Sequence, residues 1–314
     1  MQRKPADRSE SHNPASDVMA EVKQLLAENS FGSIDEANAF LANFMQRRNQ
    51  APRANFQQLS AEQMHRFIDF PFDSPDLVTF TAAPEGAAEA PIMRLLVMLL
   101  EAIGEQGLKL TAAGNLPPKF VRASARAYFG EEWYQEYTKF GDIRTEPHFG
   151  VLHSTRLVAE VAGLIRKVKG KFVISRKCSS ARAKVGMAGL YPPMLRAFTT
   201  RFNWAYNSWG AELPLVQSTF LFTAYVLHRF GDQWRENTFY EAAFLAAFPQ
   251  TLDEAMAFTY DTPEHTVRNI YSSRALDNFV FLGLAEERPV GDEKERRFEI
   301  RKSPLLNAAI RFTL

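Results

Sequence analysis

The sequence contains a single cysteine, Cys178, so an intramolecular disulfide cannot form. This excludes the small secreted domains that depend on disulfide frameworks, and it fits a reducing compartment. Long hydrophobic runs are also missing: the two most apolar stretches, residues 92–103 and 213–227, are interrupted by polar residues and fall short of the roughly 18 to 20 residues that a membrane span requires. The first 17 residues have charges but no apolar core, so they are not a secretory signal. These absences predict a soluble, cytoplasmic protein with no membrane partner.

Catalytic and cofactor motifs are missing as well. The sequence has no glycine-rich phosphate loop, no dinucleotide-binding pattern and no serine-nucleophile elbow. Glu146, His148 and His153 come nearest to a metal cluster, but two histidines five residues apart do not share one face of a helix. We therefore predict no catalytic residue, no metal and no cofactor. An enzyme of unrecognised type is kept as an alternative, because active sites can be assembled from distant residues.

Acidic residues are absent from one long stretch. Residues 161–211, named here the basic segment, hold ten Lys or Arg and seven aromatic residues but no Asp or Glu. Because the whole chain has 37 basic and 36 acidic side chains, the remainder has 27 basic against 36 acidic. Segregated charge of this kind creates a local potential that attracts polyanions, unless the acidic remainder folds over it.

The N-terminal part of the chain is predicted to be helical. Residues 1–15 are polar and lack apolar periodicity, so we expect a disordered tail. Residues 16–90 are interpreted as an N-terminal helical region that ends in a linker of small residues. The capping-box spacing occurs at two predicted helix starts: Ser33 with Glu36, and Ser60 with Gln63.

The remainder is predicted to form two modules of similar construction. Residues 91–190 follow the order helix, strand, helix, helix, hairpin, which is typical of a winged helix. Residues 191–314 are interpreted as a helical region that ends in a second winged-helix-like module, with a charged turn at residues 291–295. The predicted fold class is therefore mainly α with small β hairpins: two winged-helix-like modules plus the N-terminal helical region.

Three segments also resemble a known family. They are LSAEQMHRFIDFPFDSPDLVTF (59–80), GLKLTAAGNLPPKFVR (107–122) and AGLIRKVKGKFVISRK (162–177). These segments are similar to an uncharacterised bacterial family related to regions attached to plasmid open-reading-frame-three-like proteins. The resemblance covers most of the chain from about residue 55 onward. It implies a fold but no activity and no active site.

The predicted wing carries the candidate binding residues. Strand alternation places Lys169 and Lys171 at an exposed tip, whereas Phe172 and Ile174 point to the core. Cations on a wing can contact phosphates, and the third helix adds few base-reading side chains, so we expect any binding to tolerate sequence. The candidate nucleic-acid-binding residues are Arg156, Arg166, Lys167, Lys169, Lys171, Arg176, Lys177, Arg182 and Lys184.

Each of these features also has a simpler interpretation. The basic segment can be an ordinary solvated hairpin. It can also dock on an acidic protein or on a second copy of the chain, so the alternative to DNA or RNA binding is a protein-protein adaptor. The aromatic residues from Phe198 to Trp209, and those from Trp133 to Tyr137, can stack on bases, but their spacing favours a helix core. Cys178 follows Arg176 and Lys177, whose positive charges favour the thiolate form of the cysteine. No histidine is positioned to activate the thiol, so we expect a structural role.

Overall fold

The computed structural model describes residues 14–206, 210–256, 261–291 and 296–314. Most of these residues are helical, and their eight strands form three small antiparallel sheets. The prediction of a mainly α protein with small β hairpins is therefore confirmed. None of the described helices is long and apolar enough to cross a membrane. Residues 1–13 of the predicted tail lie outside the described residues.

The first two helices are α1 (Pro14–Glu28) and α2 (Ile34–Gln50). Ser33 caps α2, because its hydroxyl accepts a hydrogen bond from the backbone N–H of Glu36 at 3.2 Å. The Glu36 carboxylate accepts from Gly32 N rather than from the capping residue, so only one half of the predicted capping box forms. The helix ends two residues before Pro52, as expected from the backbone restriction that a proline imposes on its predecessor.

Helix α3 (Ala61–Asp69) has the complete capping box predicted for Ser60 and Gln63. Strand β1 (Val78–Phe80) follows it. The predicted linker at residues 81–90 is packed against the protein at its end, where Ala87 and Ala90 are buried.

Eight elements then form what we name the first unit. They are α4 (Pro91–Ile103), β2 (Leu108–Lys109), α5 (Pro118–Phe129), α6 (Glu131–Thr138), α7 (Gly150–Val161), β3 (Ile165–Val168), β4 (Lys171–Ile174) and α8 (Arg176–Val185). The sheet order is β2-β4-β3, with antiparallel pairing throughout. Helices α6 and α8 were not predicted, and the strand predicted to reach Arg176 ends at Ile174.

Two helices connect the units: α9 (Tyr191–Thr200) and α10 (Pro214–Ser218). The helix predicted from residue 194 to Trp209 ends at Thr200, and Trp209 lies outside the described residues. The predicted helix over residues 215–230 is interrupted at Thr219, which separates α10 from the next helix.

A second series of elements forms the second unit. They are α11 (Phe220–Phe230), β5 (Arg235–Glu236), α12 (Asn237–Ala247), α13 (Thr251–Ala255), α14 (Pro263–Tyr271), α15 (Asp277–Phe281), β6 (Ala285–Pro289), β7 (Phe298–Lys302) and α16 (Pro304–Ala309). A π-helical segment, Ser272–Leu276, joins α14 to α15. The sheet order is β5-β7-β6. Residues 292–295 of the predicted charged turn lie outside the described residues.

One continuous apolar core runs through both units and includes residues from Leu59 to Ile310. Helix α11 lies at its centre, with all residues from Phe220 to Leu227 buried, as predicted for the most apolar helix. The last strand, β8 (Ile310–Phe312), pairs with β1 and so joins the two ends of the core. The Tyr191 hydroxyl donates to the carbonyl of Leu282 at 2.8 Å and links α9 to the second unit.

In both units the helix that precedes the hairpin ends in the same way. Gly163 and Gly283 each follow the helix with a positive φ, 72° and 75°, which glycine adopts readily. Further along each hairpin, a serine hydroxyl donates to the carbonyl of that glycine: Ser175 to Gly163 at 2.7 Å and Ser303 to Gly283 at 2.5 Å. The two units therefore share a hydrogen-bonded framework as well as a strand order.

Candidate nucleic-acid interface

The basic hairpin consists of β3, β4 and the two turn residues Lys169 and Gly170. Both turn residues have positive φ angles, 46° and 73°, which matches the two-residue turns that connect antiparallel strands. Lys169 and Lys171 are exposed, whereas Phe172 is fully buried and Ile174 is half-buried. The predicted alternation of the hairpin is confirmed.

Helix α8 extends the positive charge beyond the hairpin. Ser175 caps it, since its hydroxyl accepts a hydrogen bond from a backbone N–H of the first turn at 3.1 Å. The helix has four cations and no acid among its 10 residues. Arg182 and Lys184 in the last turn suit the helix dipole, but Arg176 and Lys177 lie at the opposite end, where the dipole opposes positive charge. Helix stability therefore does not account for Arg176 and Lys177.

Eight exposed cations of the hairpin and α8 form what we name the basic surface. They are Arg166, Lys167, Lys169, Lys171, Arg176, Lys177, Arg182 and Lys184. In the described part of the chain, Lys167 alone among them has a carboxylate within ion-pairing distance: its Nζ lies 3.8 Å from Oε1 of Glu160. The acidic remainder of the described residues therefore does not cover this surface with ion pairs.

Three of these lysines also contact uncharged groups. Lys171 Nζ donates to the carbonyl of Gln106 at 3.1 Å, and Lys177 Nζ donates to the carbonyl of Ala162 at 2.8 Å. The ammonium of Lys167 also lies 5.4 Å from the ring centroid of Phe172. Carbonyl groups and rings orient these side chains, but they provide no negative charge.

Two acids lie across a groove from α8. Glu101 of α4 and Glu105, just after that helix, line a groove of about 630 Å³ together with Arg182. In the described residues neither of these carboxylates lies within ion-pairing distance of Arg182. The groove marks the limit of the basic surface on the side of α4.

Arg156 does not belong to this surface, which corrects the sequence-based assignment. It lies in the middle of α7 and is only 3% exposed. Its Nε donates to Oε1 of the fully buried Glu146 at 2.8 Å, and its Nη1 donates to Glu160 at 2.5 Å. A guanidinium that is bound to two carboxylates inside the protein cannot contact phosphate.

The same buried carboxylate organises a small polar network. Glu146 accepts from the backbone N–H of Leu116 at 2.6 Å, and Nδ1 of His153 lies 2.8 Å from Oε1 of Glu146. Burial acts to raise the pKa of Glu146, but the hydrogen bonds from His153 and Leu116 and the charge of Arg156 together hold that pKa below its ordinary value. Glu146 is therefore the anion that satisfies Arg156, and the network has a structural role.

Helix α7 offers no surface for reading bases. His153, Ser154 and Arg156, the candidate base-reading residues, are all buried. Among residues 150–160 none is exposed, since neighbouring elements cover the helix on every side. Any nucleic acid must therefore contact the basic hairpin and α8.

The two remaining cations of the basic segment have partners elsewhere. Arg196 lies 3.8 Å from the carboxylate of Asp73 and 5.0 Å from the ring centroid of Phe72. Arg201 donates to the carbonyl of Val161 at 3.4 Å. Arg196 is thus paired with a carboxylate, as the simpler interpretation predicts, whereas Arg201 binds a backbone oxygen.

The aromatic residues divide between core and surface. Phe198, Phe202 and Trp204 are at most 9% exposed, which confirms the core interpretation for them. That interpretation is wrong for Trp133 and Tyr137, which are 36% and 51% exposed and stack on each other with ring centroids 4.6 Å apart. Short helices can leave one aromatic face in solvent, and the spacing alone does not indicate which face that is.

The remaining candidate sites are structural or are not formed. Cys178 is fully buried, and burial raises the pKa of its thiol although Arg182 acts in the opposite direction. The described residues contain no group of three or more His, Cys, Asp or Glu side chains that could hold a metal ion. His148 lies outside the Glu146 network, with its Nδ1 near the backbone N–H of Arg144.

The hairpin of the second unit contrasts with the basic hairpin. Three described cations lie on its strands and two more lie just before β7, and each of the five pairs with a carboxylate. The pairs are Arg288 with Glu299, Arg301 with Glu286, Arg297 with Glu236, Arg296 with Asp277, and Lys302 with Asp232. Positive charge is therefore neutralised around the hairpin of the second unit and left largely without carboxylate partners on the basic surface of the first.

Comparison with known proteins gives one match. Residues 88–186 match the Y4jL N-terminal domain, an uncharacterised family, and this range coincides with the first unit from just before α4 to the end of α8. Searches of the curated proteins and of the solved structures found no match. The wider relationship to plasmid open-reading-frame-three-like proteins stays a prediction. The basic hairpin and α8 therefore lie within a segment that is similar to the Y4jL N-terminal domain.

Proposed function

We propose that the protein binds nucleic acid through the phosphates, using the basic surface, and without reading base sequence. The observation that carries this proposal is the set of exposed cations of which, among the described residues, only Lys167 has a carboxylate within ion-pairing distance. The positive charges of the basic surface repel one another. A bound polyanion reduces that repulsion, and its own counterions are released on binding. Phosphate backbones supply negative charge at the regular spacing that such a surface can use.

We further propose that the two units are winged-helix modules. The order helix, strand, several helices, strand, strand supports this for both units, as do the sheet orders β2-β4-β3 and β5-β7-β6. The shared bonds from Ser175 to Gly163 and from Ser303 to Gly283 add local support. Fold alone decides no function, since winged helices also serve as protein-interaction modules.

Because α7 is buried, we expect nucleic-acid binding that does not depend on the base sequence. In many helix-based DNA readers a third helix presents side chains to base edges in the major groove. Here that helix is covered, so specific hydrogen bonds to bases have no donor on α7. Contacts from long, flexible lysine and arginine side chains to phosphates carry no sequence information.

The test is the double variant Lys169→Glu and Lys171→Glu, because it reverses charge at the exposed tip of the hairpin. Binding to duplex DNA, single-stranded DNA and RNA would be measured at several salt concentrations. We expect an affinity loss of at least tenfold. We also expect the slope of log K against log salt to become shallower by roughly two contacts, each contributing about 0.9 for duplex DNA.

A matched control is available in the second unit. Arg288→Glu with Arg301→Glu changes the net charge by the same amount on an equivalent hairpin, and we expect it to leave binding within about twofold, since distant charges are screened at working salt. Equal losses in the two double variants would show that net charge alone matters and would overturn the assignment. No binding of the unaltered protein to any of the three nucleic acids at low salt would also overturn it and would favour the adaptor alternative.

A further inference from the structure

Helices α1 and α2 form an arm, named here the helical arm, that contributes nothing to the core. Among residues 18–50 no side chain is buried. The apolar core and the apolar side chains packed on it begin at Phe56, so within the described residues no hydrophobic group of the arm takes part in it. The arm is therefore held together only by its own contacts and by its junction with α3.

The arm is nevertheless amphipathic. Apolar side chains recur along one side of α2, and those of α1 face them across the hairpin. The half-buried members are Val18, Val22, Leu25, Ala37, Phe40, Leu41, Phe44 and Met45. Arg48 of α2 pairs with Glu21 of α1 at 3.1 Å, so the two helices do contact each other, and the ring of Phe31 in their connection lies 5.3 Å from that of Phe40.

Two helices of this length leave much of their apolar surface in water. Ile34 is 80% exposed and Met19 is 57% exposed. Amphipathic helices obtain most of their stability from tertiary packing of the apolar face. The arm therefore resembles one pair of helices of a four-helix bundle that lacks its second pair.

We propose that the helical arm is a self-association surface, in which the arms of two copies pack against each other as an antiparallel four-helix bundle. The occupant is a second copy because the charges of α2 are complementary to themselves. Glu36 and Arg47 are 11 residues apart, which is three turns, so they lie on the same side of the helix. A twofold axis across the middle of α2 places Glu36 of each copy opposite Arg47 of the other.

The charges of the single chain leave this pairing available. Arg47 has no carboxylate within ion-pairing distance in the described residues, and only one Glu36 oxygen is engaged, by Gly32 N at 2.7 Å. Charged residues that flank an apolar stripe commonly set the orientation of paired helices. This inference does not depend on the proposed nucleic-acid function.

The test measures the mass of the full-length protein in solution by sedimentation equilibrium over a range of concentrations. We expect the unaltered protein to reach twice the monomer mass. Arg47→Glu places two carboxylates opposite each other twice per dimer, and we expect at least a tenfold increase in the dimer Kd. Glu36→Lys combined with Arg47→Glu restores opposite charges and should return the Kd to within about threefold of the original.

Arg311→Glu provides a control, because Arg311 is exposed on β8, outside the arm; we expect no change in its dimer Kd. Circular dichroism would check that every variant keeps its helix content. A monomer at all concentrations overturns the proposal. So does a dimer that Arg47→Glu leaves unweakened, or a double variant as weak as Arg47→Glu alone.

Discussion

In the basic hairpin of the first unit, cations lie opposite apolar residues across the strands, whereas in the second unit they lie opposite carboxylates. Arg166 pairs in register with Val173, and Lys171 with Val168. In the second hairpin the register sets Glu286 opposite Arg301 and Arg288 opposite Glu299. Opposite charges directly across a strand pair are stabilising. The second hairpin thus uses its charges for its own stability, and the first does not.

The difference cannot be a requirement of the hairpin framework, because the framework is the same. Both hairpins follow a glycine with positive φ and end in a serine that bonds back to it. A hairpin with this framework folds whether its cations are paired with carboxylates or have no carboxylate partner. The open charges of the first unit therefore need an explanation outside folding, and this is why we assign them to a ligand.

The two units also differ in the environment of a carboxyl group near the helix that precedes the hairpin. Hydrogen bonds and the charge of Arg156 lower the pKa of Glu146 in the first unit despite its burial. In the second unit burial raises the pKa of Asp277, and Arg296 only partly offsets this. The first unit stabilises a buried anion, whereas in the second unit burial disfavours the charged form of the half-buried Asp277.

The largest effect is expected from removal of the internal anion of the first unit. Glu146→Gln leaves Arg156 buried without its main acceptor, and breaking one half of a buried pair typically costs about 3–5 kcal/mol. Because the folded-state pKa of Glu146 is lowered, its contribution is present above its ordinary pKa of 4.5 and is lost as pH falls through the lower folded value. Urea unfolding of the variant and the unaltered protein between pH 7 and pH 3 should show a difference that shrinks at the acid end.

The variant Glu241→Gln in the second unit provides a comparison for Glu146→Gln. Glu241 is also buried, but its cation, Arg268, is 29% exposed and can be solvated instead. We expect a cost of about 1–3 kcal/mol, typical of a lost hydrogen-bond acceptor. Equal costs for the two variants would show that the burial of Arg156 is not what distinguishes the networks.

Sequence reasoning succeeded where local chemistry determines the structure. The capping residues Ser33 and Ser60, the proline-limited end of α2 and the alternation around Phe172 were all predicted from residue type and spacing. Much of the order of elements in both units was predicted as well, because hairpins and long apolar helices have strong local signals, but α6 and α8 were missed. The exposed cations of the basic hairpin follow from the same alternation.

Sequence reasoning failed where partners come from distant parts of the chain. Arg156 was assigned to the surface because charged side chains are usually exposed, and Glu146, ten residues earlier, was not recognised as its buried partner. Arg156 shares a helix face with the apolar Leu152 and Ala159, which is a signal for a buried pair. The pairing of β1 with β8 had no such local signal.

A further prediction compares Gly163 and Gly283, the glycines that follow the helix before each hairpin. An added Cβ at Gly163 meets no atom within 4 Å, whereas at Gly283 it would lie 2.7 Å from the Cβ of Ala90. Gly163→Ala should cost about 1–2 kcal/mol, the strain of a left-handed conformation. Gly283→Ala adds overpacking of about 1–3 kcal/mol to the same strain. Thermal or urea unfolding should rank Gly283→Ala as clearly less stable, and equal losses would contradict the close packing of the second unit on Ala90.

The smallest effect concerns the stability of the two hairpins themselves. Arg301→Glu removes a cross-strand pair with Glu286 at 2.6 Å and sets two carboxylates opposite each other. Exposed pairs contribute about 0–1 kcal/mol, so the loss should lie in that range and diminish at high salt. Lys169→Glu, at the tip of the basic hairpin, breaks no described ion pair and relieves repulsion among neighbouring cations. Its free energy of unfolding should be unchanged or slightly higher, and a loss as large as that of Arg301→Glu would mean that the first hairpin also depends on its charges to fold.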